Sequence, residues 1–394
     1  MKLYYWCFLF LLILINSSST NIRKTVQQAP HPQYLRLEQA LQQYRTLAAN
    51  HEWVYFPGNI RLHPGDSNEY VSSLRRVLSL AGDLKASDSL SHPLFDEALT
   101  KAVKGFQQRH GLVADGVVGQ ETLQELNVSP SQRLRQIEVN LMRWKAFNKE
   151  TALPLVFVNI PDYTLQLLDT TGQTIWTTRV VVGKPAKAFQ TKPIDSNIKH
   201  LVLNPSWNIP QSIYRKEIIP ILQKDRGYLA RNHMVLYRQQ GNKKTSIPVN
   251  AVNWHKPNLD RDGLRVVQVP GPWNSLGKVK FLFPTSYAQY LHDTPAKSLF
   301  MQPYRAYSHG CVRVQHPDTL AAFLLSENWM RKKDVQALWA TSTPDKRVYL
   351  PKPVQVKLGY FTCWVDDRGV LQFRRDIYKR DVLPAHTAIA LYRK

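Results

Sequence analysis

Tyr290-Leu291-His292-Asp293-Thr294-Pro295, with fifteen residues between His292 and the stretch Ser308-His309-Gly310-Cys311-Val312-Arg313, decides how the rest of the chain is read. A cysteine that attacks a carbonyl needs a base to hold it as thiolate and small neighbours that let a substrate backbone approach. His292 supplies the first and Gly310 helps with the second. If Tyr290-Leu291-His292 is a strand, Tyr290 and His292 share one face while Leu291 and Asp293 point the other way. Asp293 is then no orienter of His292, and Asp293-Thr294-Pro295 shapes a turn.

The chain has 394 residues, 43% apolar and 21% charged, enough for two or three domains with cores of their own and too apolar for wholesale disorder. A formal charge of +23 favours a polyanionic neighbour: nucleic acid, acidic lipid or an acidic cell-wall polymer. The basic residues are scattered and no nucleic-acid motif is present, so nucleic acid is not expected as a partner. At residues 1–20, Met1-Lys2 precedes an apolar run from Leu3 to Ile15 and then Asn16-Ser17-Ser18-Ser19-Thr20, the layout of a secretory signal. The run is short for a spanning helix, although an uncleaved anchor, and with it a membrane tether, stays open. Without the leader, and with it Cys7, two cysteines remain. Cys363 lies in an alternating apolar stretch and reads as a small hydrophobe, while Cys311 among His, Gly and Arg suits a reactive thiol. A structural disulfide between the two is the alternative.

An N-terminal segment at 21–65 carries one amphipathic helix, Tyr34 to Ala49, and a link punctuated by Pro57-Gly58 and Pro64-Gly65. A unit at 66–128 follows, with helices expected at Val71 to Ala81, at Asp96 to His110 and through Thr122, Leu123 and Leu126. Phe95, Leu99, Val103 and Phe106 share one helical face, and Gly111 is a C-cap signal. A linking helix, Ser131 to Phe147, occupies 129–152. From Leu153 the texture becomes that of antiparallel hairpins. Between 208 and 262 it is interrupted by Ile213, Tyr214, Ile218, Ile219 and Leu222 at helical spacing, an insertion ahead of the Cys311 segment and a natural lid. The fold class expected is α+β: a small three-helix domain, then a mostly antiparallel β domain at 153–382 with a helical lid, then a tail at 383–394.

Two resemblances attach to these units. Ala102-Val103, Phe106-Gln107, His110-Gly111-Leu112, Asp115-Gly116, Gly119 and Thr122-Leu123 are similar to the peptidoglycan-binding domain type 1, a three-helix module. The His292 and Ser308-His309-Gly310-Cys311 pattern resembles the signature of the L,D-transpeptidases, as do Val182-Gly183-Lys184-Pro185, Asn204-Pro205, Trp207-Asn208-Ile209-Pro210 and Asn274 with Leu276-Gly277-Lys278. The neighbours look most like the lid-bearing, YcbB-like branch of Gram-negative bacteria, with a shorter N-terminal part.

The resemblance implies that Cys311, activated by His292, attacks the peptide bond after the third residue of a tetrapeptide stem, that D-alanine leaves, and that an amine on a second stem resolves the thioester. The partners would be donor and acceptor stem peptides in the cell envelope, with no cofactor or metal. A backbone carbonyl would orient His292, and amides near Gly310 and Cys311 would face the oxyanion. Ser308 and His309 belong to the same loop, His309 as a structural hydrogen-bonding group or as a proton carrier. Arg313 either holds a substrate carboxylate or braces the loop; Tyr290 lines the acceptor side; Trp207 contacts substrate or fills a domain seam. Three rivals stand beside this: a zinc amidase using His292, His309, Cys311 and His316, hydrolysis by the same cysteine, and a wall-anchoring protein whose module does the work. A lid favours transfer, because closing a site excludes water.

Overall fold

The computed structural model describes residues 31–50, 52–85, 92–147, 151–255, 257, 263–326 and 330–383. The leader at 1–20 and nearly all of the tail at 383–394 lie outside the described residues. Among those described, no helix is long and apolar enough to cross a membrane.

The first helix, α1 (Pro32–Ala49), is followed by α2 (Glu69–Leu80), α3 (Glu97–Arg109), α4 (Gln120–Leu126) and α5 (Pro130–Phe147). Side chains cap α2 and α3: Asn68 accepts from the Val71 amide and Asp96 from that of Leu99. Leu74, Leu78, Phe95, Leu99, Phe106 and Leu123 form the core of α2 to α4. Phe56 and Leu62 belong to the same core, and Leu62 bridges to Val118. Part of the expected N-terminal segment at 21–65 is therefore built into the module, whose helices alone bury too little. α1 packs elsewhere, against α5 and the strands that end the chain.

The strands are β1 (Leu155–Asn159), β2 (Thr164–Leu168), β3 (Thr174–Gly183), β4 (Ile194–Leu203), β5 (Trp207–Asn208), β6 (Met234–Gln240), β7 (Lys243–Ser246), β8 (Leu264–Gln268), β9 (Val279–Leu282), β10 (Leu291–His292), β11 (Ala306–Ser308), β12 (Val312–Val314), β13 (Lys346–Gly359), β14 (Cys363–Val365) and β15 (Leu371–Phe373). The order β3-β12-β10-β9-β4-β13-β1-β2 closes on itself because β2 also pairs with β3. Closure removes the exposed edges of an open sheet. Most pairs are antiparallel, but β1–β13, β10–β12 and β11–β3 are parallel. β1 is buried throughout, Val156 and Val158 facing the barrel core and Leu155 and Phe157 the α1–α5 side. That is why its sequence is a continuous apolar run.

The insertion differs from the expected helical lid. It has a helical part, Gln211 to Lys224 with a π-turn at Tyr214–Ile218, but also a four-stranded antiparallel sheet in the order β5-β8-β6-β7. Trp254, Tyr214 and Leu222 are buried at its own core. The polar stretch Arg238 to Lys244 hid the β6–β7 hairpin, since both of its exposed ends lack the apolar alternation that marks a strand.

The module docks onto the barrel through buried ion pairs. Glu125 accepts from Arg133 at 2.6 Å and from Arg375 at 2.9 Å. Arg374 reaches the Arg109 carbonyl at 3.0 Å beside Gly111, where any Cβ would meet its side chain at 2.6 Å. Removing one member of a buried pair strands the other charge. Glu125→Ala is expected to lower stability by about 3–5 kcal/mol in urea unfolding; a loss under about 1 kcal/mol would show that the seam does not depend on it.

Candidate active site

β10 and β12 run parallel, with Leu291 opposite Val312 and His292 opposite Arg313. The Val312 amide donates to the Tyr290 carbonyl at 3.0 Å, which fixes the register. One step back, Tyr290 lies opposite Cys311. Tyr290, His292, Cys311 and Arg313 thus share one face of two hydrogen-bonded strands. The Cys311 thiol lies 4.0 Å from the Ala288 carbonyl oxygen, and the Tyr290 ring meets that of His292 edge-on at 5.7 Å.

His292 is 4% exposed, and its Nδ1 lies 2.5 Å from the Asp293 carbonyl oxygen. A carbonyl can only accept, so Nδ1 carries the proton and Nε2 keeps its lone pair. Burial, reinforced by the positive charge of Arg313, pushes the imidazole down to about 3. Burial raises the Cys311 thiol above its ordinary value, with Tyr290 and Arg313 pulling it back. Desolvation disfavours the charged form of both groups.

The loop ahead of Cys311 is shaped by Ser308. Its Oγ donates to the Cys311 carbonyl at 2.5 Å and accepts from the Gly310 amide at 3.1 Å. The Gly310 amide is therefore engaged by Ser308. Gly310 has φ 118°, and a Cβ there would meet Gln289 Nε2 at 2.7 Å, so only glycine fits. The Gly310 carbonyl accepts from Thr191 Oγ1 at 2.8 Å, and the Thr191 amide donates to the Tyr378 hydroxyl. The Gln289 carbonyl group accepts from the Lys192 amide and its NH2 donates to the Gln190 carbonyl. Thr191, Gln289 and Tyr378 were missed from the sequence, because each reaches the loop from a distant stretch with no motif of its own.

His309 turns away from the thiol. Its Nε2 lies 2.6 Å from Glu217 Oε1 on the π-turn of the insertion, and Phe189 meets the ring edge-on at 4.8 Å. Arg313 lies on the same face as Cys311, with its Nε unpartnered among the described residues. Trp207 pairs with Gln268 and packs on the insertion's core, at the base of the insertion rather than at the thiol. Asp293 braces the neighbouring turn, accepting from the Lys278 amide at 2.8 Å and pairing with Lys297. Cys363 is a buried free thiol on β14 and Cys311 a free thiol on its loop, so they form no disulfide. His292, His309 and Cys311 are committed to different partners, His316 sits exposed ahead of the helix Pro317–Leu325, and no three His, Cys, Asp or Glu side chains among the described residues converge as a metal site.

A family model described as the YkuD L,D-transpeptidase catalytic domain matches residues 154–350, and one described as a "Putative peptidoglycan binding domain" matches residues 67–126. A Haemophilus influenzae protein described as a "Putative L,D-transpeptidase" is 33% identical over 227 residues, covering 57% of this chain and 44% of that protein. The N-acetylmuramoyl-L-alanine amidase CwlM of Mycobacterium tuberculosis is 36% identical over 72 residues, 16% of this chain and 18% of that one. The chain thus spans less than half the length of these curated relatives. Among solved structures, an L,D-transpeptidase (Yku) from Stackebrandtia nassauensis has 16% identity and a TM-score of 0.26, covering 75% of this chain and 94% of that one. One from Xylanimonas cellulosilytica has 14% identity and a TM-score of 0.23, covering 77% and 99%.

The upward shift of the Cys311 thiol has a signature in pH. Iodoacetamide attacks thiolate, so Cys311 alkylation, located by peptide mass spectrometry, is expected to be slow at pH 7 and to climb through pH 9 and above. Equal rates at pH 6 and pH 9 would mean a preformed thiolate–imidazolium pair.

Proposed function

We propose, from the premise that the chain belongs to the YkuD family of L,D-transpeptidase catalytic domains, that it cross-links peptidoglycan stems through a Cys311 thioester in the cell envelope. The observation that carries the proposal is the β10–β12 pairing, which sets the thiol on the same face as a buried, neutral imidazole whose tautomer is fixed by a carbonyl.

In the first half-reaction the thiol proton passes to His292 Nε2 as Sγ bonds the carbonyl carbon of the third stem residue. The tetrahedral oxyanion takes the Cys311 amide. Collapse breaks the C–N bond, and His292 returns its proton to the departing D-alanine amine. In the second half-reaction a neutral side-chain amine of another stem attacks the thioester, His292 accepts its proton, and the thiol is regenerated with a new 3→3 amide bond. Base help of this kind is worth about 10²–10⁴-fold, and one oxyanion donor about 10²–10³-fold. No ATP is needed, because the energy of the broken amide is held in the thioester.

Water resolving the same thioester would make a carboxypeptidase or endopeptidase. The Glu217–His309 contact favours transfer, because it holds the insertion against the nucleophile's loop and so restricts water. The module would hold the polymer while the barrel acts on it.

Purified protein given disaccharide-tetrapeptide is expected to yield a cross-linked dimer with loss of D-alanine, and Cys311→Ala none. Tripeptide monomer alone would replace the proposal with hydrolysis, and full activity of Cys311→Ala would end it. Glu217→Ala is expected to raise the tripeptide-to-dimer ratio by about tenfold; an unchanged ratio would remove the insertion from the partition.

A further inference from the structure

Arg313 stands beside the reacting groups. β12 carries it directly opposite His292 of β10, with Val181 of β3 on its other side. Opposed residues of neighbouring strands are about 4.8 Å apart, so the guanidinium flanks the imidazole on the face that also carries Cys311. The side chain is partly buried, and its Nε is buried without a partner. Among the described residues the guanidinium has no hydrogen bond and no carboxylate within ion-pairing distance.

The other buried arginines behave differently. Arg75, Arg109 and Arg133 are each held by a carboxylate, that of Asp96, Asp83 and Glu125 respectively. Lys280, which faces His292 from β9, has the charge of Asp345 to offset its own. For Arg313 the opposite charge within reach among the described residues is an ionised Cys311, and burial disfavours that ionisation. A buried charge is costly unless it is paired. A guanidinium can only donate, and its planar fork matches a carboxylate. The site is therefore short of one anion, which the substrate supplies.

We infer that Arg313 holds the terminal carboxylate of the leaving residue, and so selects stems that end one residue after the bond to be broken. The placement follows from the reaction proposed above, on which the inference rests. His292 returns its proton to the departing amine, and one carbon joins that nitrogen to the carboxylate of the residue that leaves. With the nitrogen at His292, the carboxylate falls beside it, where β12 puts Arg313. A stem longer by one residue has a neutral amide at that point and leaves the guanidinium unpaired. Unpaired polar groups in a binding site give strong discrimination. The loop itself is already held by Ser308 and Thr191.

The test measures equilibrium binding on the full chain carrying Cys311→Ala, so that nothing turns over. The probes are disaccharide-tetrapeptide with a free terminal carboxylate, the same stem as its terminal primary amide, and a stem longer by one D-alanine. The free acid is expected to bind about tenfold more tightly than either of the others. Arg313→Gln is expected to lose that margin: the acid weakens to the level of the amide, and the amide binds as before. Arg313→Lys, which keeps the charge without the fork, is expected to retain part of it. Equal weakening of acid and amide in Arg313→Gln would mean a structural role and overturn the inference. A margin that survives Arg313→Gln, or no margin in the parent, would overturn it too. An Arg313-dependent margin in a protein whose Cys311 form makes no thioester would keep the carboxylate site and sink the reaction assigned above. Thioester formation at equal rates from acid and amide would do the reverse.

Discussion

The parallel pairing of β10 with β12 is the constraint on which the site depends. Each strand is only two or three residues long, and neither would hold a register in isolation. They hold one because the barrel closes around them: β9 pairs with β10 on its far side and β3 with β12. Leu291, Val312 and Val314 point into the barrel core, which commits Tyr290, His292, Cys311 and Arg313 to the opposite face. A slip of one residue would turn Cys311 towards the core and expose the core side chains. Packing therefore sets the chemistry.

Burial does a second thing. It removes water from His292, so the ring stays neutral, and the carbonyl of its own neighbour Asp293 fixes which nitrogen is basic. It also raises the Cys311 thiol, disfavouring its charged form. The supporting loop is over-determined by Ser308, Thr191 and Gln289. Such support keeps a site preorganised when the reacting groups themselves make few contacts.

Much of this was legible in the sequence because the decisive residues are close together along the chain. Alternation in Tyr290-Leu291-His292 separates Tyr290 and His292 from Leu291 and Asp293, and the helical face of α3 was readable from its spacing. What was not legible came from distant partners. Thr191 reaches Gly310, Tyr378 reaches Thr191 and Glu217 reaches His309 only after the barrel has closed. The Gly310 amide looked free because the sequence does not reveal that Ser308 folds back onto it. The β6–β7 hairpin escaped because its residues are mostly polar and its end is exposed on both faces, so no apolar alternation marks it.

The rate of thioester formation in a single turnover, followed by intact mass on Cys311 with a tetrapeptide donor, tests the central claim most directly. If a neutral His292 is the base, His292→Ala slows that step by about 10²–10⁴-fold while the donor still binds. Acylation at the parent rate without the imidazole would contradict the account.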